Sequence, residues 1–406
     1  MNFQSVTLDN GIKIVHGRTD SPVAYACIMV NVGTRDELDN EHGIAHFIEH
    51  VIFKGTKRRK AYHIMSRLED VGGELNAYTT KEETVVHATF LKEDYHRSIE
   101  LLYDIVFRST FPEKELEKEK EVILDEINSY KDSPSELIFD DFEELIYPNH
   151  PFGRNILGTK KHLKRFTKAS IQSFMGRTYN TDQIVYCSIG NIPFSRVVKL
   201  ANRYFGTVSE NHRQFSRTTI PASNPKTSIV NKGTFQKHCM IGCRTYDLYH
   251  PNRIGMFLLN NILGGPGQNS RLNLSLRERS GYAYNVESSY TPYSDTGIFS
   301  IYFGTDKANL EKSLGVVHAE LDSIQKVKLG VQQLSKAKRQ LLGQLAISSE
   351  NTESLMLNVA RSYLNYQSFD GFDKVFAKVE SISAAELIEI ANEVLNLKNL
   401  STLIYK

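Results

Sequence analysis

Polar and apolar residues alternate along SVTL and again along IKIVHG, with Asp9-Asn10-Gly11 between them, so the chain opens on a β-hairpin over residues 5–18. The run VAYACIMVNVG is apolar almost throughout and reads as a buried strand. The period then lengthens. An amphipathic helix is predicted over about 41–54, stopped by Gly55, and a second over about 61–71, ended by Gly72-Gly73. ELNAYTTKEETVVHATFL predicts two strands and KEDYHRSIELLYDIVFRS a helix. Pro112 opens a further helix that runs to about Tyr130, before Ser133-Pro134.

The second half repeats this order. HCMIGCRTY is strand-like, NRIGMFLLNNILGG matches the helix around His46, and NVESSYTPYSDTGIFSIYF matches the paired strands. KANLEKSLGVVHAELDSI then echoes KEDYHRSIELLYDIVFRS. Sliding by 210 positions lays Phe47 on Phe257, Ile52 on Ile262 and Gly55 on Gly265. The pattern predicts an α+β fold of two homologous domains, each a mostly antiparallel sheet packed with helices. The boundaries expected are 1–213 and 229–406, joined by the polar, proline-bearing linker QFSRTTIPASNPKTS at 214–228.

Composition narrows the function. A chain of 406 residues, 40% hydrophobic and 24% charged, is an ordinary globular protein, and a net charge of +2 gives no case for nucleic acid or acidic membranes. The four cysteines form no CxxC pair, and Cys239 and Cys243, in the strand-like CMIGC, are expected to be buried thiols. The first residues lack the build of a signal peptide, and no apolar run approaches the ~20 residues of a membrane span, so a cytoplasmic location is expected.

One cluster does not suit a packing helix. HGIAHFIEH carries three histidines and a glutamate, whereas the 210-residue slide places Met256, Leu259 and Asn260 on His46, Glu49 and His50. The second copy keeps the apolar positions and lacks the ligand types. On a helix His46 and His50 lie one turn apart on one face, where two imidazoles can hold one Zn²⁺ at about 2.0–2.1 Å each. Glu49 falls beside them. A catalytic site needs a third protein ligand, and in EKELEKEKEVILDEINSY Glu126 sits inside the apolar run VILDEI, a costly place for an unpaired charge. Glu119, seven residues earlier, shares that side of the helix and is expected to orient a ligand or the water. His42 lies off the His46/His50 face and suits capping or solvation; His63 and His87 stand alone and read as structural.

HFIEH is the inverted HxxEH motif of zinc peptidases. Over essentially its whole length the chain resembles the insulinase and mitochondrial-processing-peptidase family, in the small subfamily with two homologous domains per subunit. DNGIKIV resembles the family's opening hairpin and GIAHFIEHVIFKGT its motif helix. Glu126, 76 positions after His50, matches its third ligand, and Glu119 its second glutamate. GGELNAYTTKEETVV resembles the edge strand that receives substrate, which assigns Asn76, Ala77 and Tyr78 to substrate binding. SRLNLSLRERSGYAYNV resembles the stretch carrying a substrate-facing Arg/Tyr pair seven residues apart, which selects Arg277 and Tyr284.

The resemblance implies a zinc endopeptidase with one Zn²⁺ per subunit, held by His46, His50 and Glu126, with Glu49 as the general base. Arg277 and Tyr284 would complete the site across a homodimer chamber that admits unstructured peptides. The alternatives are a subunit active only with a different partner subunit and a non-catalytic peptide-binding or scaffold homologue. A structural zinc domain fits less well, since closed sites are built from four Cys/His ligands.

Overall fold

The computed structural model describes residues 1–222 and 224–406. The first half contains strands β1 (Phe3–Thr7), β2 (Lys13–Arg18), β3 (Val23–Val30), β4 (Glu74–Thr79), β5 (Thr84–Leu91) and β6 (Ile184–Gly190). Its helices are α1 (Ile44–Val51), α2 (Ala61–Glu69), α3 (Tyr95–Arg108), α4 (Glu113–Lys131), α5 (Pro134–Ile146), α6 (Lys160–Leu163), α7 (Lys168–Thr178) and α8 (Phe194–Tyr204). The second half supplies β7 (Thr227–Val230), β8 (Lys237–Thr245), β9 (Ala283–Pro292), β10 (Gly297–Thr305) and β11 (Ser401–Tyr405). With them come α9 (Arg253–Gly264), α10 (Leu310–Lys326), α11 (Val331–Ser349), α12 (Thr352–Tyr366), α13 (Phe372–Ser381) and α14 (Ala384–Val394).

The duplication is visible in the sheets. The first has the order β1-β2-β6-β3-β5-β4 and the second β7-β11-β8-β10-β9. Apart from the extra β1, they match strand for strand: β2 runs parallel to β6 and β7 to β11, and the remaining neighbours are antiparallel. Each sheet therefore ends on an equivalent edge strand, β4 in one copy and β9 in the other.

The contiguous domain boundaries expected from the sequence need correction. One compact unit comprises 1–128, 154–218 and 348–369; the other comprises 129–153, 219–347 and 370–406. The helix following the long charged helix is exchanged in both directions. In the first unit α12, from the second half, supplies Met356, Val359, Ala360 and Tyr363 to the face of the sheet formed by Val15, Cys27, Met29, Val85, Cys187 and Ile189. In the second, α5 supplies Ile138, Phe142 and Ile146 to Met240, Ile298, Tyr302, Leu403 and Tyr405. The physical reason is that each β-sheet is apolar on both faces and its own half covers only one of them.

The expected linker is also shorter than 214–228: β7 begins at Thr227, and Arg217 is bound to the first unit through Asp36 and Glu82. Residue 223 of that segment lies outside the described residues. All four cysteines are free and buried, as was expected of Cys239 and Cys243, and burial pushes the Cys27 and Cys243 thiols up to about 12. Among the described residues no helix is long and apolar enough to cross a membrane.

Candidate metal centre

The motif helix α1 is shorter than its sequence pattern predicts, and its first residue is set by backbone geometry. Gly43 precedes it at φ +94°, where a side chain is strained, and a Cβ there would stand 2.7 Å from Cα of Gly158. The amides of Gly43 and Ala45 donate to the Oε2 and Oε1 of Glu37, each at 2.9 Å, so one buried carboxylate satisfies two donors at the helix N-terminus. Burial pushes the Glu37 carboxyl up to about 8, opposed by these two amides. His42 lies outside the helix, with Nε2 2.9 Å from the Asn155 carbonyl oxygen, and is no part of the metal set. Glu37→Ala would leave both amides without an acceptor, and we expect it to cost about 1–3 kcal/mol in chemical denaturation. Unchanged stability would show that water replaces the carboxylate.

From α1, His46 and His50 point to one place, their rings 4.7 Å apart. Glu126 reaches it from α4: His46 Nε2 is 3.8 Å from one carboxylate oxygen and His50 Nε2 is 3.5 Å from the other. The donor atoms all lie within 4.8 Å of one another, and among the described residues no other trio of His, Cys, Asp or Glu converges in this way. Donors on a tetrahedral zinc stand about 3.3–3.5 Å apart, and the carboxylate oxygens lie 3.8 and 3.5 Å from the two imidazole nitrogens, close to that spread. The polar atoms also fit a cation. Glu126 Oε2, the oxygen that faces His50 Nε2, is shielded from solvent without a hydrogen-bond partner. Burial, then the neighbouring His50, lowers the His46 pKa to about 3, which holds its imidazole in the neutral form that ligates metal.

Glu119 lies beside His50. Its Oε2 is 3.3 Å from His50 Nδ1, and its Oε1 is 2.7 Å from Lys54 Nζ. The burial argument used for Glu126 is reversed, however. Its side chain is 42% exposed and that of Glu119 only 10%, because Glu126 lies at the mouth of the site and Glu119 behind His50. Two contributors escaped the sequence reading. Lys54 stands four residues beyond His50, a spacing that could have linked it to the His46/His50 face. Glu37 lies in the charged stretch before the helix, where a carboxylate near a helix N-terminus was the available signal.

Removing either partner behind His50 should loosen the metal. Glu119→Gln and Lys54→Met are each expected to weaken zinc binding about 10–100-fold, read by competition with a chromophoric chelator. Wild-type affinity in both would mean that the imidazole is oriented by packing alone.

Glu49 is half-buried on the same turn as His50. Burial raises its pKa, opposed by Thr79, His50 and the Thr79 backbone, with Glu126 adding to the rise. Thr79 ends β4, and α1 packs against that strand. On β4, Ala77 packs toward the core that holds α1, Tyr78 toward the opposite face, and Asn76 is exposed. The hairpin tip beyond β4 is buried despite its KEE sequence, because Glu82 meets Arg35 at 2.6 Å and Glu83 meets Arg361 at 2.8 Å. His87, read as structural, meets Glu353 of α12 at 2.8 Å.

Arg277 and Tyr284 belong to the second unit. Arg277 lies on the π-helical turn Asn273–Arg279 and lines a cleft of about 410 Å³ with Gly264, Pro266 and Gln268. Tyr284 is on β9 and 65% exposed, its hydroxyl 3.4 Å from Asp306 Oδ2. In α9, Met256 and Leu259 are fully buried, so the second copy of the motif helix has packing residues where the first has His46 and Glu49.

Comparison with known proteins matches the two halves to different family models. Residues 13–160 match the family model described as insulinase (peptidase family M16), and residues 165–341 match that of the peptidase M16 inactive domain. The chain is 31% identical over 389 residues to the uncharacterized zinc protease YmxG of Bacillus subtilis, covering 95% of this chain and 94% of the relative. It is 31% identical over 395 residues to an uncharacterized zinc protease of Rickettsia felis, covering 97% and 95%. A protease from Helicobacter pylori superposes with a TM-score of 0.91 at 22% identity, covering 100% and 99% of the two chains. A peptidase M16 inactive domain from Pseudomonas fluorescens does so with 0.93 at 19%, covering 100% and 98%. A paired-sheet fold built twice, an HxxEH helix facing a distant glutamate, and relatives matched from end to end lead to one assignment: this chain belongs to the insulinase family, peptidase family M16.

Proposed function

We propose that this protein is a zinc-dependent endopeptidase that hydrolyses unstructured peptides, with one zinc ion per subunit. The observation that carries the reading is the convergence of His46, His50 and Glu126 beside Glu49 and the sheet edge β4. His46, His50 and Glu126 would hold the ion. Zinc in such a set supplies Lewis acidity, lowering the pKa of a coordinated water toward 7 and polarising a carbonyl.

The remaining work falls to the chain. Glu49 accepts the proton of the attacking water and returns it to the leaving amine, and its raised pKa suits a carboxyl that must do both near neutrality. Substrate extends along Asn76-Ala77-Tyr78 and pairs with the free edge of β4. Main-chain pairing reads little side-chain identity, and a folded protein has few strands free to offer. Arg277 would hold the substrate backbone and Tyr284 donate to the developing oxyanion.

In this reading two subunits form a C2 homodimer around a chamber, and Arg277 and Tyr284 serve the partner's zinc site. Mixing inactive Glu49→Gln with inactive Arg277→Ala tests the arrangement. Activity should return, since each mixed dimer regains one complete site. No recovery after demonstrated subunit exchange would show that the pair does not act in trans.

A further inference from the structure

The second unit contains a cleft of about 490 Å³ that shares no residue with the one beside Arg277. Its size falls within the ~300–1,000 Å³ of ordinary ligand sites. Arg271, Arg279, Lys328 and Lys336 line it, with Glu320 as the one carboxylate. Glu320 accepts from Arg271 Nε at 2.8 Å, so that pair is internally neutralised. Among the described residues, Arg279, Lys328 and Lys336 are exposed and form no ion pair, leaving three uncompensated positive charges around one opening.

A second observation points to a ligand. Asn261 lines the cleft and is only 7% exposed, yet its side-chain amide has no hydrogen-bond partner among the described residues. That amide is open to the cleft and free to donate to and accept from an occupant. The three cations come from separate places: the end of the π-helical turn, the segment after α10, and α11. Leu274 and Leu329 add aliphatic surface to the same lining. A compact phosphate prefers donors gathered on one point. Cations carried by three different elements, over a lining that is also aliphatic and amide, suit an extended chain with carboxylates at intervals.

We propose that this cleft binds acidic, extended peptide segments, an anchoring site separate from the zinc centre; its use in selecting substrates rests on the peptidase reading above. Carboxylates of the peptide pair with Lys328, Lys336 and Arg279, and a backbone amide meets Asn261. Charge at such a site sets on-rate and selectivity among peptides more than raw affinity.

The test uses the intact chain carrying Glu49→Gln, so that binding is read without cleavage. A fluorescein-labelled, unstructured peptide rich in Asp and Glu should bind, by anisotropy, more tightly than its Asn/Gln counterpart, and less tightly as salt is raised. Adding Lys328→Glu and Lys336→Glu should raise the Kd at least about tenfold for the acidic peptide and leave the neutral one unchanged. Lys328→Gln with Lys336→Gln, which introduces no repulsion, should have a smaller effect of the same sign. Equal Kd for both peptides, or acidic-peptide binding untouched by either pair of substitutions, overturns the proposal. So does displacement by inorganic phosphate at the same total charge. A chain that binds in this way but never cleaves would sink the peptidase reading and leave this one standing.

Discussion

Glu49→Gln is expected to reduce peptide cleavage about 10²–10⁴-fold while the chain keeps its metal and its fold. Glu49 sits on α1 next to His50 but is outside the trio whose donor atoms converge, so its replacement by an isosteric amide takes away a proton acceptor and leaves the ligands. The loss should appear in kcat, because an extended substrate on β4 would be held as before. Two readings check it: hydrolysis of a quenched fluorescent peptide, and metal content after gel filtration without chelator. Cleavage at the wild-type rate would remove Glu49 from the proton pathway. Zinc missing from the variant would move Glu49 into the ligand set.

Glu126→Gln should have the opposite signature, with metal and activity lost together. Glu126 is the one member of the trio contributed by α4, and its two oxygens face His46 and His50. Without its charge the site keeps two imidazoles, a set short of the three protein ligands typical of catalytic zinc. The affinity loss should therefore exceed the roughly 10–100-fold expected from substitutions behind His50. Zinc titration of wild type, Glu119→Gln and Glu126→Gln in parallel gives the ordering directly. A Glu126→Gln protein that binds zinc as tightly as Glu119→Gln would place the third ligand elsewhere.

Much of this centre was legible in the sequence because it depends on local spacing. His46, Glu49 and His50 fall on one helical turn whatever the rest of the chain does, and the second copy showed by contrast that packing alone did not require them. The duplication was legible for the same reason, since periodicity survives where identity does not. What escaped depends on contacts across the chain. Glu37 joins α1 only because the backbone turns back at Gly43, and Lys54 acquires its role from Glu119, on another helix. Glu126 was found by an argument about burial that the structure reverses. KEE at the β4–β5 tip has the composition of an exposed turn, and only Arg35 and Arg361, far away in sequence, allow it to be buried.

The exchanged helices bear on the origin of the chain. Residues 134–146 and 352–366 hold equivalent places in the two repeats, and each covers the sheet of the other. Severed from each other, the two ancestral repeats would form a domain-swapped pair, each lending an arm to its twin. In one chain that pairing is held by covalent continuity. It also rules out a simple dissection: a fragment ending at residue 213 keeps His46, His50 and Glu126 but bares Cys27, Met29, Val85 and Cys187 where α12 had lain. Such a fragment should be insoluble unless the other half is produced beside it.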